Sequence, residues 1–205
     1  MALQSNPIIS RRERNREETR RDLALAALEL ASAHGLANVR VPDIAAAAGV
    51  SPRTFNNYFP SKEAAIAWPA QQRAAKLADN LLARPAHESL IAALIDAVSD
   101  LYAGKPESGS PAHWLQRFRR LVAREPALYG EYLKAADAGE QALAQAIRER
   151  TGADEDELRP KLLAAIAVGA ERTAIRHWMT QSDKPGPLAD AVKEALQQAL
   201  PEVKP

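Results

Sequence analysis

Gly49 and the residues on either side of it limit this part of the chain to two short helices joined by a tight turn. Pro42 suits the first turn of a helix, because the N–H that proline lacks would have no partner there. Gly49 can adopt the left-handed conformation that ends such a helix. Ser51 is a favoured N-cap and Pro52 a favoured first residue, so a second helix follows at once. The sequence therefore predicts helices over about residues 42–48 and 52–58.

The rest of the chain also carries the pattern of helices. Apolar residues recur at steps of three and four, as at Leu23, Ala27 and Ala31, which indicates helices with one buried face. Hydrophobic residues make up 46% of the chain but aromatic residues only 5%, which favours helices over strands. We expect an all-α fold of about nine helices. Their expected limits are about 15–34, 42–48, 52–58, 61–84, 88–103, 112–124, 126–150, 157–180 and 188–200.

The composition argues against several classes of protein. Cysteine is absent, so no disulfide or thiolate metal site can form. No apolar run reaches the length of about 18 residues that a membrane helix needs, and the N-terminus lacks the apolar core of a signal peptide. We therefore expect a cytoplasmic protein. The scattered histidines lack metal-ligand spacing, and no phosphate loop or nucleophile elbow occurs, so we expect no enzyme, cofactor or metal.

The N-terminal end is more basic than the remainder of the chain. Residues 1–62 carry nine basic and six acidic side chains, and several of the arginines precede the first expected helix. A flexible basic arm can approach phosphates and release their counterions. An ordinary solvated run of charges gives the same pattern, so charge alone does not decide between these two interpretations.

The two short helices also divide into an inward and an outward side. Ile44, Val50, Phe55 and Phe59 are predicted to lie in a core. The polar residues of the second helix then have room to face outward: Arg53, Thr54, Asn56 and Asn57. Such a helix suits the major groove of DNA, where arginine pairs with guanine and asparagine with adenine.

The same segment resembles the TetR family of ligand-responsive transcriptional repressors. The resemblance covers roughly a quarter of the chain and is carried by Ile44-Ala45, Ala48-Gly49-Val50-Ser51, Thr54-Phe55, Tyr58-Phe59 and Ser61-Lys62-Glu63. It implies an N-terminal basic arm and helix-turn-helix DNA-binding domain over residues 1–66. It also implies a helical regulatory domain over residues 67–205 that binds a small molecule and dimerises.

The resemblance further implies which side chains contact an operator in double-stranded DNA. They are Arg40, Ser51, Pro52, Arg53, Thr54, Asn56, Asn57, Tyr58 and Lys62. The four outward-facing residues are the candidates for base edges, whereas Tyr58 and Lys62 are placed on the DNA backbone, which fixes register. Family members often have threonine where this chain has Val41-Pro42, and an aromatic residue where it has Asn56. We expect Arg40 to replace the missing phosphate contact, and the operator sequence is not implied.

In this family the last two helices form the homodimer interface, here residues 157–180 and 188–200. Each carries an apolar stripe: Leu162, Ile166, Gly169 and Thr173 on the first, and Leu188, Val192, Leu196 and Ala199 on the second. A two-fold dimer would match a palindromic operator.

A ligand pocket is implied between the fifth and eighth helices. Its candidate residues are aromatic or polar: Tyr102, His113, Trp114, Arg117, Phe118, Tyr129, Tyr132, Arg172, Arg176, His177 and Trp178. The sequence does not separate residues that line a pocket from residues that pack in the core. Residues 51–59 are similar to a branch of the family with hydrophobic, acyl-like effectors, so we expect a hydrophobic ligand whose binding releases DNA.

The sequence leaves two other functions open. A helical adaptor with a degenerate helix-turn-helix would share the fold, although such a protein need not keep polar residues facing outward, as are expected here at Arg53, Thr54, Asn56 and Asn57. A ligand-dependent activator would use the same parts as a repressor. A specific DNA-binding protein keeps its preference for one site at physiological salt, and an adaptor does not, so a salt series separates them.

Overall fold

The computed structural model describes residues 11–103, 111–181 and 186–200, without the side chains of residues 111–114. Over these ranges the chain forms nine α-helices, which confirms the expected all-α fold. They are α1 (Arg11–His34), α2 (Val41–Ala47), α3 (Pro52–Tyr58), α4 (Lys62–Ala83), α5 (Leu90–Ser99), α6 (Pro111–Val122), α7 (Pro126–Thr151), α8 (Leu158–Thr180) and α9 (Leu188–Ala199). Two 3₁₀ turns cover Leu36–Asn38 and Asp100–Tyr102. Within these ranges no helix combines the length and apolarity needed to cross a bilayer.

The helices belong to two compact units. The first ends at Pro69 and the second begins at Ala70, so the boundary lies inside α4. The helix continues through Pro69, although a proline there removes one backbone hydrogen bond and strains the preceding turn. The sequence had indicated a boundary after residue 66.

The first unit packs α1, α2 and α3 around a small apolar core. Leu28 of α1, Ile44 of α2 and Phe55 of α3 are all fully or almost fully buried. Gly35 and Gly49 have φ angles of 79° and 68°, in the left-handed region that favours glycine. Gly35 therefore ends α1, and Gly49 turns the chain from α2 into α3.

α1 begins earlier than the sequence predicted. It starts at Arg11 rather than near residue 15, so Arg11, Arg12 and Arg14 lie in exposed helical turns and not in an arm that precedes the helix. Arginine and glutamate favour helix, and exposed turns need no apolar face, so apolar spacing alone could not detect this part of α1. Residues 1–10 lie outside the described ranges.

The second unit packs α5 to α9 and the rest of α4. α9 lies against α5 and α8, and it buries Leu188, Val192 and Leu196 against them. The sequence assigned these three residues to the dimer interface, and that assignment is wrong, because the chain's own helices cover them. Helical spacing identifies a buried face but does not say whether the same chain or a second copy buries it.

α8 has an apolar row that its own chain leaves exposed. Leu158, Leu162 and Ile166 repeat every four residues along one face, and they are 64%, 50% and 40% exposed. A Cβ atom added at Gly169 would meet no atom within 4 Å, so the helix backbone is open there as well. The stripe that the sequence indicated on α8 is therefore exposed.

Candidate nucleic-acid interface and ligand cavity

α3 is a short helix whose first turn is held by its own side chains. The hydroxyl of Ser51, at the N-cap, accepts a hydrogen bond from the backbone N–H of Thr54 at 3.1 Å. The hydroxyls of Ser51 and Thr54 also lie 2.9 Å apart and share a hydrogen bond. Pro52 occupies the first helical position, where its missing N–H costs nothing. The start of the helix is therefore fixed by Ser51, Pro52 and Thr54.

The two sides of α3 have opposite surroundings. Phe55 is completely buried, and its ring centroid lies 5.8 Å from that of Phe59, which is itself buried. Arg53, Asn56 and Asn57 are exposed on the other side. The inward phenylalanine holds the helix in place, and the outward side chains present one arginine fork and two amides on a single short surface.

Arg40, before α2, and Tyr58, the last residue of α3, are also at least partly accessible. Arg40 is exposed at the N-cap of α2, and its backbone N–H donates to the Asp43 carboxylate at 3.2 Å. Tyr58 is half-buried, and the guanidinium groups of Arg16 and Arg20 lie about 6 Å from the centre of its ring. Positive charge therefore collects beside the ring of Tyr58, at the end of α3.

Lys62 is tied to the protein's own backbone. Its ammonium group donates to the carbonyl of Leu36 at 2.6 Å and to the carbonyl of Val39 at 3.0 Å, in a partly buried position. The group therefore fastens the start of α4 to the segment that leads into α2. A phosphate contact, as the sequence predicted for Lys62, would have to use its third N–H.

The second unit contains a cavity of about 70 Å³. Its walls come from α4, α6, α7, α8 and the second 3₁₀ turn. Much of the wall is made of alanines and other apolar side chains, and Gly139 of α7 lies where α7 approaches α4. A Cβ atom on Gly139 would lie 2.6 Å from the Cβ of Ala74, so this approach depends on glycine.

Charged groups also line this mostly apolar cavity. The hydroxyl of Tyr102 donates to the carboxylate of Glu171, and the Arg73 guanidinium lies 5.1 Å from the centre of the Tyr102 ring. Burial raises the pKa of the Glu171 carboxyl, while the hydrogen bond from Tyr102 and the nearby arginines oppose that rise. Burial and then the charge of Glu171 raise the pKa of Tyr102 well above its ordinary value, so its hydroxyl remains a donor.

Arg119 of α6 lies beside this group. Its guanidinium lies 4.7 Å from the centre of the Tyr132 ring, and the Tyr132 ring lies 5.9 Å from that of Phe118. The Nε atom of Arg119 is buried and has no hydrogen-bond partner among the described residues. Arg172 of α8 completes the charged part of the lining. The cavity can therefore supply aromatic surface, positive charge and an unused donor.

Four of the predicted pocket residues line the cavity: Tyr102, Phe118, Tyr132 and Arg172. The others for which side chains are described lie elsewhere. Tyr129 and Arg176 are exposed, Arg117 is not in the lining, and exposed His177 lies within 3.1 Å of Gln181. The Trp178 indole donates to the carbonyl of Gly186 at 2.8 Å, beside the start of α9. The side chains of His113 and Trp114 lie outside the described part of the structure.

Three charged residues that line the cavity were not predicted from the sequence: Arg73, Arg119 and Glu171. A signal for Glu171 was present. Glu171 continues the buried row of Ala164, Ala167, Ala174 and Trp178 on α8, at helical spacing. A charge on the apolar face of a helix is unusual unless it has a partner or a function. A charged residue within an apolar row is therefore a candidate pocket residue, and a search for aromatic residues alone does not find it.

Both units match known proteins. A family model described as "Bacterial regulatory proteins, tetR family" matches residues 24–66, and one described as "MftR C-terminal domain" matches residues 88–203. The HTH-type transcriptional regulator TcmR of Streptomyces glaucescens is 32% identical over 199 residues, which cover 95% of this chain and 86% of that protein.

Two more distant relatives agree with these matches. The mycofactocin biosynthesis transcriptional regulator MftR of Mycobacterium tuberculosis is 29% identical over 180 residues, covering 84% of this chain and 86% of that protein. The structure of the fatty acid degradation regulator FadR from Bacillus halodurans superposes with a TM-score of 0.61 at 20% identity, over 91% of this chain and 96% of that chain. At that identity the likeness shows the fold.

Proposed function

The chain belongs to the TetR family of bacterial regulatory proteins and is a transcriptional regulator; on that premise we propose that it is a homodimeric repressor released from its operator by a small molecule. The observation that carries the proposal is the outward side of α3. Arg53, Asn56 and Asn57 are exposed there on a helix that Phe55 anchors from within.

The chemistry of these side chains suits base recognition in the major groove. An arginine fork pairs with two acceptors of guanine, and an asparagine amide pairs with a donor and an acceptor of adenine. Because Ser51 caps α3 and Phe55 is buried beneath it, the three side chains start from a fixed backbone. Arg40, which is exposed, and Tyr58, which is half-buried at the end of α3, are the candidates for phosphate contacts, which set register without reading sequence.

We assign the dimer interface to the exposed row on α8. Leu158, Leu162 and Ile166 form an apolar face that the chain's own helices leave in solvent, and the open backbone at Gly169 permits a second helix to approach closely. A two-fold axis through this face would pair α8 with its copy. Two copies of α3 related by such an axis match a palindromic operator.

The cavity provides the ligand site in this proposal. α4 starts in the first unit at Lys62 and supplies Ala70, Arg73 and Ala74 to the cavity wall in the second. A ligand that prefers a different position of α4 shifts the population away from the DNA-binding form. The coupling is reciprocal, so operator DNA weakens ligand binding by the same factor.

The DNA-binding part of the proposal is tested by selection of preferred duplexes from a random pool with the full-length protein. Binding to the selected duplex is then measured by fluorescence anisotropy over a salt series, for the wild type, Arg53→Glu and Arg124→Glu. Arg124 is an exposed arginine between α6 and α7 and serves as the matched control. We expect Arg53→Glu alone to abolish specific binding. A wild type without sequence preference at physiological salt would instead indicate an adaptor.

The dimer assignment has its own test by analytical ultracentrifugation. We expect Leu162→Glu to convert the wild-type dimer to a monomer, because it places a charge in the centre of the α8 row. Leu82→Glu is the matched control, since Leu82 is also an exposed leucine, at 45%, but belongs to α4. A dimer that survives Leu162→Glu and dissociates with Leu82→Glu would move the interface to α4.

A further inference from the structure

We propose that the ligand of the cavity is a small organic acid whose anionic group takes the place of Glu171 beside Arg119, Arg73 and Arg172. Its apolar body would lie against Phe118 and Tyr132. This inference rests on the proposed ligand-responsive function and adds the chemical class of the ligand. It follows from the charges of the lining, from one unused donor and from the small volume of the cavity.

Among the described residues of the cavity lining, positive side chains outnumber negative ones. Three guanidinium groups belong to this set, from Arg73, Arg119 and Arg172, and one carboxylate, from Glu171. All three arginines act on that carboxylate and favour its ionised form. The three arginines are only partly exposed to water, which screens their charge less than full exposure would, so an anion bound beside Arg119 would be stabilised there.

Arg119 supplies the donor for that anion. Its Nε is buried without a hydrogen-bond partner, which is unfavourable for a guanidinium group in the absence of a ligand. A carboxylate can accept two parallel hydrogen bonds from one guanidinium, including one from Nε. The guanidinium already lies 4.7 Å from the centre of the Tyr132 ring, so an acid bound to it would have its body against aromatic surface.

Glu171 has the role of a resident counterion in this arrangement. Its carboxylate accepts from Tyr102 and faces the same arginines that would bind the ligand. An incoming anion competes with that carboxylate and is repelled by it. Replacement of Glu171 by a neutral group of the same shape therefore strengthens binding of an acid and leaves binding of a neutral analogue unchanged.

The volume limits the ligand to a compact molecule. About 70 Å³ is well below the roughly 300–1,000 Å³ of sites for drug-sized ligands. A single ring or a short chain with one carboxylate is therefore the appropriate probe. Benzoate and hexanoate supply the same anionic group on an aromatic and an aliphatic body, and benzamide and hexanamide are their neutral partners.

The test measures binding of these four probes to the full-length protein by isothermal titration calorimetry. The variants are Glu171→Gln, Arg119→Met, Arg119→Lys and Arg117→Met. Arg117 lies on the same helix outside the lining and is the matched control. We expect at least one acid to bind about tenfold more tightly than its amide, which corresponds to about 1.4 kcal/mol.

Each variant has a distinct expected result. Glu171→Gln tightens binding of the acid several-fold without changing binding of the amide. Arg119→Met removes the preference for the acid, Arg119→Lys keeps part of it through the retained charge, and Arg117→Met changes nothing. Circular dichroism verifies that each variant is folded. If Glu171 had only a structural role, Glu171→Gln would alter the melting temperature but not the ratio of the affinities for the acid and its amide.

The proposal is overturned if neither acid binds at millimolar concentration, if the amides bind equally well, or if Glu171→Gln leaves acid binding unchanged. Operator release, followed separately by anisotropy, distinguishes these failures from failure of the proposed function. Release by a neutral molecule alone would retain the ligand-responsive repressor and overturn the acidic ligand. Acid binding without release would support the acidic ligand and contradict the release mechanism.

Discussion

The two units place their polar groups in opposite ways. In the first unit, α3 has a buried Phe55 on one side and exposed Arg53, Asn56 and Asn57 on the other. In the second unit, partly buried arginines and Glu171 line a cavity whose other walls are largely apolar. A surface that reads DNA must present hydrated donors on a fixed backbone, whereas a sensor of small molecules gains from buried charges that a ligand can satisfy. In the proposed function, the exposed polar groups of the first unit contact DNA and the charged groups of the second unit bind a ligand.

The largest effect is expected from the phenylalanine that anchors α3. Phe55→Ala leaves a cavity in the small core of the first unit and costs about 3–5 kcal/mol of its free energy of unfolding. Denaturant titration measures that cost, and anisotropy with the selected operator is expected to show loss of binding. Phe118→Ala, a change of equal size in the second unit, is the control. Equal loss of operator affinity in both variants would contradict the division of labour between the units.

The next effect concerns Lys62, which the sequence placed on DNA and the structure ties to two carbonyls. Lys62→Met removes two charge-assisted hydrogen bonds and is expected to lower the free energy of unfolding by about 2 kcal/mol. We expect the dependence of operator binding on salt to keep its slope, because the ammonium group is already engaged. If the slope of the logarithm of the binding constant against the logarithm of the salt concentration instead fell in magnitude by about one, Lys62 would contact a phosphate.

The approach of α7 to α4 is tested by two glycines of the same helix. Gly139→Ala forces its methyl group against Ala74, and the overpacking of about 1–3 kcal/mol exceeds the gain of about 1 kcal/mol in helix propensity. Gly130→Ala, which meets open space, gains up to about 1 kcal/mol. The double variant Gly139→Ala/Ala74→Gly moves the methyl group across the interface and is expected to restore thermal stability. Equal melting temperatures for Gly139→Ala and Gly130→Ala would contradict the close approach of α7 to α4.

A smaller effect compares the N-caps of the two units. Ser51 caps α3 and Ser89 caps α5, with hydroxyl-to-backbone distances of 3.1 and 3.2 Å. Replacement of either by alanine is expected to cost about 1 kcal/mol of stability. Operator affinity should fall only for Ser51→Ala, because the proposed base contacts come from α3 and not from α5. A matching fall for Ser89→Ala would show that operator affinity follows overall stability.

The first unit was the more predictable from sequence, because its signals are local. Gly49, Ser51 and Pro52 act within a few residues of where they stand, and Phe55 followed from helical spacing. The start of α1 was not predicted, because its exposed turns carry no apolar face.

The cavity was less predictable, because a lining is created by contacts between distant helices. Aromatic content identified Tyr102, Phe118 and Tyr132 but could not separate them from Trp178, which instead bonds to Gly186. The same limit applies to α9. Its buried face was visible in the sequence, but burial by its own chain was not.

The most direct test of the DNA-reading face is the ratio of affinities for the selected operator and a scrambled duplex at physiological salt. For the wild type we expect a ratio of at least about 10³. Arg53→Ala is expected to reduce the ratio by roughly 5- to 150-fold, since one bidentate contact contributes about 1–3 kcal/mol of discrimination. An equal fall in affinity for both duplexes, with the ratio unchanged, would show that Arg53 contacts only phosphate and would contradict the assignment of α3 as the reading helix.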